Sequence, residues 1–441
     1  MKKHRRARFV YGWKSLYTSV MESHNSGGIV LVVCAVIALI IANIPALSGV
    51  QDIWNTKMGI VIGDFSLKMS LLHWINDGLM AIFFLVVGLE IKREMMVGEL
   101  SSVKKATLPF FAALGGMIVP ALIYTLFNIG TPTENGWGIP MATDIAFAIG
   151  VLALLGKKCP LSLKIFLTAL AIVDDLGAIV VLAIFYPSHA ISLTFLMLAA
   201  AVFVLLLLFN KFRVKSLLAY IVPGIVLWYF VYMSGIHATI AGVLLAIAIP
   251  HQVSIKEVKF STKMRNMLGE FHKVSGTGVT GLANLSQLGI IHNMGRKVAK
   301  ITPMMHVVES GLHQWVRFLI MPLFALANAG VVFELDAISS IPPMMPGIFL
   351  GLLVGKPLGI FLFSWIVVKL KFAVMPENAS WIQLFAIGIL GGIGFTMSIF
   401  INNLAFTDPA IISVGKVAIL ITSFVAAIVG AGVIVLTSKN K

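Results

Sequence analysis

The sequence predicts an all-α polytopic membrane protein with about twelve transmembrane helices, and three observations point there. Of the 441 residues 59% are hydrophobic and 12% charged, and the mean hydropathy is +0.98, far from the balance of a soluble domain. Apolar runs long enough to cross a bilayer as helix, about twenty residues, recur from end to end. Lysine and arginine gather in alternate connections between those runs, so the net charge of +15 marks membrane topology rather than a nucleic-acid partner.

Residues 1–26 form a basic N-terminus with Lys2, Lys3, Arg5 and Arg6, and the apolar run that follows reads as an uncleaved first span. Residues 27–250 carry spans one to eight, at 27–45, 73–92, 106–128, 134–155, 162–186, 190–209, 216–231 and 235–250. Residues 251–306 are polar and glycine-rich (Gly276, Gly278, Gly281, Gly289), hold no run long enough to span, and read as a non-helical cytoplasmic insertion of unassigned role. Residues 307–437 carry spans nine to twelve, at 307–332, 344–368, 382–405 and 414–437, and 438–441 close the chain. The clusters Lys92/Arg93/Lys104/Lys105, Lys157/Lys158/Lys164, Lys211/Arg213/Lys215 and Lys369/Lys371 fall on the face of the insertion and both termini. The other face carries only Lys57 and Lys68, so both termini are expected in the cytoplasm. Cys34 and Cys159 form no disulfide framework.

Within 50–70, β-branched and alternating residues flank Gly63-Asp64, the signature of an external β-hairpin; an ordinary solvated loop is the competing reading. A hairpin edge could pair with a second copy and make a homodimer.

Few ionisable residues remain at mid-span: Asp77, to which no role is assigned, Asp144, the adjacent Asp174 and Asp175, and Lys356. A carboxylate at membrane depth costs a few kcal/mol and marks function by default. Two spans are also interrupted. Gly136, Gly138 and Pro140 precede Thr143 and Asp144 in span four, and Gly388, Gly391, Gly392 and Gly394 lie in span eleven. Interrupted spans in both halves of a chain point to inverted repeats, here spans 3–5 and 10–12, whose discontinuous helices 4 and 11 cross. Where they cross, Asp144 would compensate the positive half-helix ends and Lys356 the negative ones. Glycines that merely let helices approach are the plainer alternative.

Successive helical residues point about 100° apart, so one aspartate would face a cavity and the other a neighbouring helix or Lys356. Oxygen donors suit hard cations, and Asp175, Asp174, Thr143 and freed carbonyls could hold dehydrated Na+ or Li+. The same carboxylates can carry protons instead, and that competition, with alternating access, suffices for exchange. A purely structural Asp/Lys brace remains the alternative.

Seven stretches resemble the NhaA-type sodium/proton antiporters of bacterial inner membranes: Ile75–Glu94 (INDGLMAIFFLVVGLEIKRE), Ala142–Gly150 (ATDIAFAIG), Ala171–Ala178 (AIVDDLGA), Ser234–Gly242 (SGIHATIAG), Phe324–Gly330 (FALANAG), Gly355–Gly359 (GKPLG) and Gly392–Ser398 (GIGFTMS). The resemblance runs from about Ser26 to the last span, leaving out the insertion, and motifs of this length are specific. It implies an exchanger rather than an enzyme, in the bacterial inner membrane. Cytoplasmic Na+ or Li+ would leave against more than one external proton, with no cofactor beyond the transported ions, for sodium and pH homeostasis. It assigns Asp175 as principal ligand, Asp174 as its partner, pairing with Lys356 in the proton-loaded state, Asp144 and Lys356 as charge compensators, and Thr143 as a site neighbour. It further implies pH regulation at the cytoplasmic mouth through Glu90, Glu94, His237 and Glu309.

Ser310, where relatives often have histidine, departs from that pattern, with His313 one turn on. On the residues alone, Glu90 and Glu94 could simply pair with Lys92 or Arg93, and His237 could be a helix-start histidine satisfied by backbone. Two other classes compete. A passive cation channel would need rings of acids or a carbonyl filter repeated by symmetry, and an intramembrane aspartyl protease needs paired aspartates in a Gly-x-Gly-Asp setting; neither pattern is present.

Overall fold

The computed structural model describes residues 26–63, 65–187, 189–252, 257–274, 285–332 and 342–438. The basic N-terminal tail, Asp64, Gly276, Gly278, Gly281 and residues 439–441 lie outside the described residues.

After α1 (Ser26–Asn43) and α2 (Ser48–Asn55) comes a hairpin, β1 (Lys57–Ile62) and β2 (Phe65–Ser70). Then follow α3 (Leu71–Met96), α4 (Val103–Asn128), a tight 3-10 stretch (Glu134–Met141), α5 (Ile145–Leu154), α6 (Leu161–Phe185), α7 (Leu193–Lys211), α8 (Leu218–Met233) and α9 (Ile240–Ala248). Next are α10 (Glu257–Val274), α11 (Leu285–Ile301), α12 (Met304–Trp315), α13 (Met321–Asn328), α14 (Met344–Lys369), α15 (Trp381–Gly391), α16 (Phe395–Ala405) and α17 (Pro409–Thr437). Among the described residues, seven helices are long and apolar enough to cross a membrane, or up to nine if each of two bent pairs counts as one span. Every expected span coincides with helix, but some are short. The 9 residues of α9 cover about 14 Å, under half of a bilayer core.

The hairpin is present, antiparallel, with Ile60 opposite Leu67 and Gly63 in the left-handed region at φ 56°. Positive φ at the turn is what glycine permits cheaply. The Trp74 indole donates to Met58 O at 2.9 Å and ties the hairpin to α3.

The tightest helix pair near the core is α4 against α14. A Cβ on Gly359 would stand 2.0 Å from Gly115 O, and one on Gly355 2.9 Å from Pro120 Cα. The backbones therefore touch, as small residues allow where helix association relies on packing rather than on the hydrophobic effect. A wide π turn at Gly351–Gly355 falls just before Lys356 on this helix. Likewise α9 lies along α3, with Gly242 against Ala81 and Ala246 against Gly88.

One expectation is corrected. The 251–306 segment is not non-helical: it holds α10 and α11, which lie against each other. Phe260, Met264, Met267 and Phe271 recur at helical spacing and are half-buried, a signal too short and too polar in its surroundings to register as a span.

Candidate functional site

Two chain breaks meet in the core. Gly136, Gly138 and Pro140 hold Glu134–Met141 in a tight 3-10 form, residues 142–144 run without helix, and α5 starts at Ile145. Opposite, Gly392, Ile393 and Gly394 interrupt α15 and α16, which bend by 46°. The breaks are hydrogen-bonded to each other: Asp144 N donates to Ile393 O at 2.7 Å, Thr143 Oγ1 to Gly391 O at 2.9 Å, and Ser398 Oγ to Ile139 O at 2.8 Å. A Cβ on Gly392 would stand 2.3 Å from Leu352 O, so this approach requires glycine.

Asp144 caps two helices at once. Its Oδ1 accepts from Phe147 N at 2.9 Å, at the start of α5; its Oδ2 accepts from Thr396 N at 3.1 Å and from the Thr396 hydroxyl, at the start of α16. Both N-termini carry partial positive charge, which one carboxylate balances. At the opposite polarity, Met141 O accepts from Lys356 Nζ, while the Thr143 hydroxyl serves the last carbonyl of α15.

Lys356 also donates to Asp174 Oδ2 at 2.7 Å. Asp175, the next residue of α6, turns elsewhere, as helical geometry demands. Neither of its oxygens has a hydrogen-bond partner among the described residues, and the charges acting on it belong to Asp174, Asp144, Lys356 and Glu90. Thr143, Asp144, Asp174, Asp175 and Lys356 are each no more than 1% exposed. Isolated ionised carboxylates are not tolerated in such surroundings, so a group like Asp175 needs a proton or a cation. Thr396, which completes the capping of Asp144, was visible only as part of the Gly392–Ser398 stretch; a threonine in an apolar run carries no mark of its partner.

A second group lies at the Met96 end of α3. The Arg93 guanidinium donates to Glu309 and, at 3.3 Å, to Glu94; His313 Nδ1 is 3.5 Å from Glu90 Oε1. Glu90, Glu94 and Glu309 thus come together, with the Arg93 guanidinium and the His313 imidazole beside them. Lys92 pairs with none of them: it donates to the carbonyls of Ala246, Ile247 and Ile249 at 3.3, 2.7 and 2.5 Å and closes the C-terminal end of α9. His237 does not belong to this group, which corrects the expectation that all four residues share one mouth. Because α9 runs alongside α3 in the same direction, His237, ahead of α9, sits toward the Trp74–Leu79 end, hydrogen-bonded to the Tyr186 backbone.

The sequence profile of the family described as Na+/H+ antiporter 1 matches residues 18–434. The chain belongs to that family. The Na(+)/H(+) antiporter NhaA of Wolinella succinogenes is 46% identical over 419 residues, covering 95% of this chain and 92% of that protein. The counterpart of the same name from Oleidesulfovibrio alaskensis is 48% identical over 402 residues, covering 91% and 89%, and that of Helicobacter pylori strain G27 is 45% identical over 414 residues, covering 93% of each. Membership of the Na+/H+ antiporter family makes sodium/proton exchange across a membrane the activity to be explained, and gives no support to a channel or a protease.

Proposed function

We propose that the chain expels cytoplasmic Na+ or Li+ against external protons at Asp175 and Asp174, where two interrupted helices cross. The observation that carries this reading is the buried Lys356–Asp174 pair beside an Asp175 whose oxygens lack donors. In the proton-loaded form Asp174 is held by the Lys356 ammonium and Asp175 carries a proton. A cation entering from the cytoplasm takes Asp175 and draws Asp174 away from Lys356; the protons released come from Asp175 and from Lys356, which loses its counter-ion. Two protons then exchange for one monovalent cation, so each cycle moves net charge. Asp144, Thr143 and Thr396 stay neutralised at the helix ends throughout and keep the site open to a cation without collapsing the crossing.

The reading extends to architecture. Twelve spans and a cytoplasmic location of both termini are argued from the alternation of basic connections, and inverted repeats over spans 3–5 and 10–12 from the glycine- and proline-interrupted spans in the two halves. The exposed Met58, Ile60 and Val61 of β1 suit a hairpin that joins two copies into a homodimer. Glu90, Glu94 and Glu309, with Arg93 and His313, form the group whose protonation at the cytoplasmic mouth would bias access to the site; His237 would act on pH from the other end.

Inside-out vesicles acidified by respiration and followed with a pH-sensitive dye test the site. Sodium and lithium should alkalinise the lumen and choline should not, and Asp175→Asn should remove the response by about a hundredfold or more while the protein remains folded in the membrane. Normal exchange by Asp175→Asn would sink the assignment.

A further inference from the structure

The helices α10 and α11 take no part in the ion centre, yet they are built with more apolar surface than they use on each other. The two helices lie against each other, and Phe260, Met264, Met267 and Phe271 of α10 and Ile290 and Met294 of α11 are half-buried, which assigns them to the seam. Outside the seam, Leu288, Ile291 and Val298 of α11 stay 50%, 48% and 45% exposed, and Leu268 of α10 48%. Spaced i, i+3 and i+10, the three on α11 fall within about 80° of one another around the axis, which makes them one stripe.

The charges on the two helices are predominantly basic. On α10, Lys259, Lys263, Arg265 and Lys273 outnumber Glu257 and Glu270; α11 bears Arg296, Lys297 and Lys300 and no acidic residue. The pair is also tethered at the edge of the bundle. Between Ala248, the end of α9, and Glu257 there is only a short connection, and between Ile301 and Met304, the start of α12, only Thr302 and Pro303. A helix pair held this close to a membrane-embedded bundle, apolar on one stripe and basic beside it, has the composition of a helix that lies in the interface of an anionic bilayer.

We propose that α10 and α11 rest on the anionic lipid surface next to the bundle. Leu288, Ile291 and Val298 enter the headgroup boundary, and the neighbouring lysines and arginines meet acidic lipid headgroups. This surface is independent of the ion chemistry: a chain that failed to exchange sodium would still show it.

Hydrogen/deuterium exchange of the intact protein in lipid nanodiscs tests the proposal. Amides of 257–274 and 285–301 should exchange about tenfold or more slowly in discs containing phosphatidylglycerol than in phosphatidylcholine discs or detergent, and high salt should erase much of that difference. The triple variant Leu288→Ser/Ile291→Ser/Val298→Ser should lose the slowing, with sodium-dependent exchange in vesicles and the thermal midpoint unchanged. Lys263→Gln/Arg296→Gln should lose only the salt-sensitive part. Equal exchange in all three environments would overturn the proposal, because the pair then packs on protein or on nothing. Slowing that survives the triple substitution would overturn the assigned stripe.

Discussion

The junction of the two chain breaks and the group at the Met96 end of α3 use the same residue types in opposite ways. At the junction, Lys356 meets Asp174, Asp144 meets two helix starts, and none of these groups is more than 1% exposed. At the end of α3, Arg93 serves two carboxylates with its side chain 42% exposed, and His313 faces Glu90 with its own 54% exposed. Water can reach Arg93, His313 and Glu90 in the second group, where Glu309 alone is closed off, but it reaches no member of the first. The worth of a charge pair is therefore set less by its distance than by what remains when one member is removed.

Removing a member of the buried pair should show this most sharply. Lys356→Ala leaves Asp174 buried without its cation and should cost about 3–5 kcal/mol, read as a lower unfolding midpoint in detergent. Adding Asp174→Asn should restore a good part of that loss, since a neutral amide replaces the stranded charge. If Lys356→Ala unfolds at the wild-type temperature, the contrast between the two regions fails. A milder probe is Thr396→Val, which removes the hydroxyl donor to Asp144 and keeps the backbone N–H of the same residue. A loss of about 1–3 kcal/mol by the same measurement is expected, and a loss as large as that of Lys356→Ala would mean that Asp144 depends on the hydroxyl alone. His313→Ala should change stability least, by no more than about 1 kcal/mol, because both His313 and Glu90 reach water, with the part carried by the protonated imidazole shrinking as salt is raised. A salt-independent loss of several kcal/mol there would show that the end of α3 is as closed as the junction.

Much of this is legible in the sequence. Apolar runs marked the helices long enough to cross a membrane because length against bilayer thickness is a strong constraint, and glycine and proline marked both breaks because they are the residues that helices avoid. The mid-span charges identified Asp144, Asp174, Asp175 and Lys356, since burial makes each of them too costly to be incidental. Lys356 as the partner of Asp174 was one of the alternatives read from helical geometry, and it is the one realised. What escaped reading lay in depth and in short periodicities. The position of His237 along the molecule depends on the direction of α9 beside α3, which Gly242 and Ala246 fix and no local pattern announces. The helices of the insertion were missed because their apolar residues are sparse: they suffice for a seam between two helices but not for a span. Thr396 was missed because its partner lies 252 positions away.

The glycine contact between α4 and α14 has a mechanical consequence. With Gly359 pressed on Gly115 and Gly355 on Pro120, neither helix can slide or roll past the other without driving backbone into backbone. The two are a single stiff mount, and Lys356 is a flexible arm bolted to it. Whatever separates the ammonium from Asp174 during a cycle must therefore be the swing of that four-carbon arm, or the displacement of α6 against the whole mount, and not a slippage of the helix that carries the lysine.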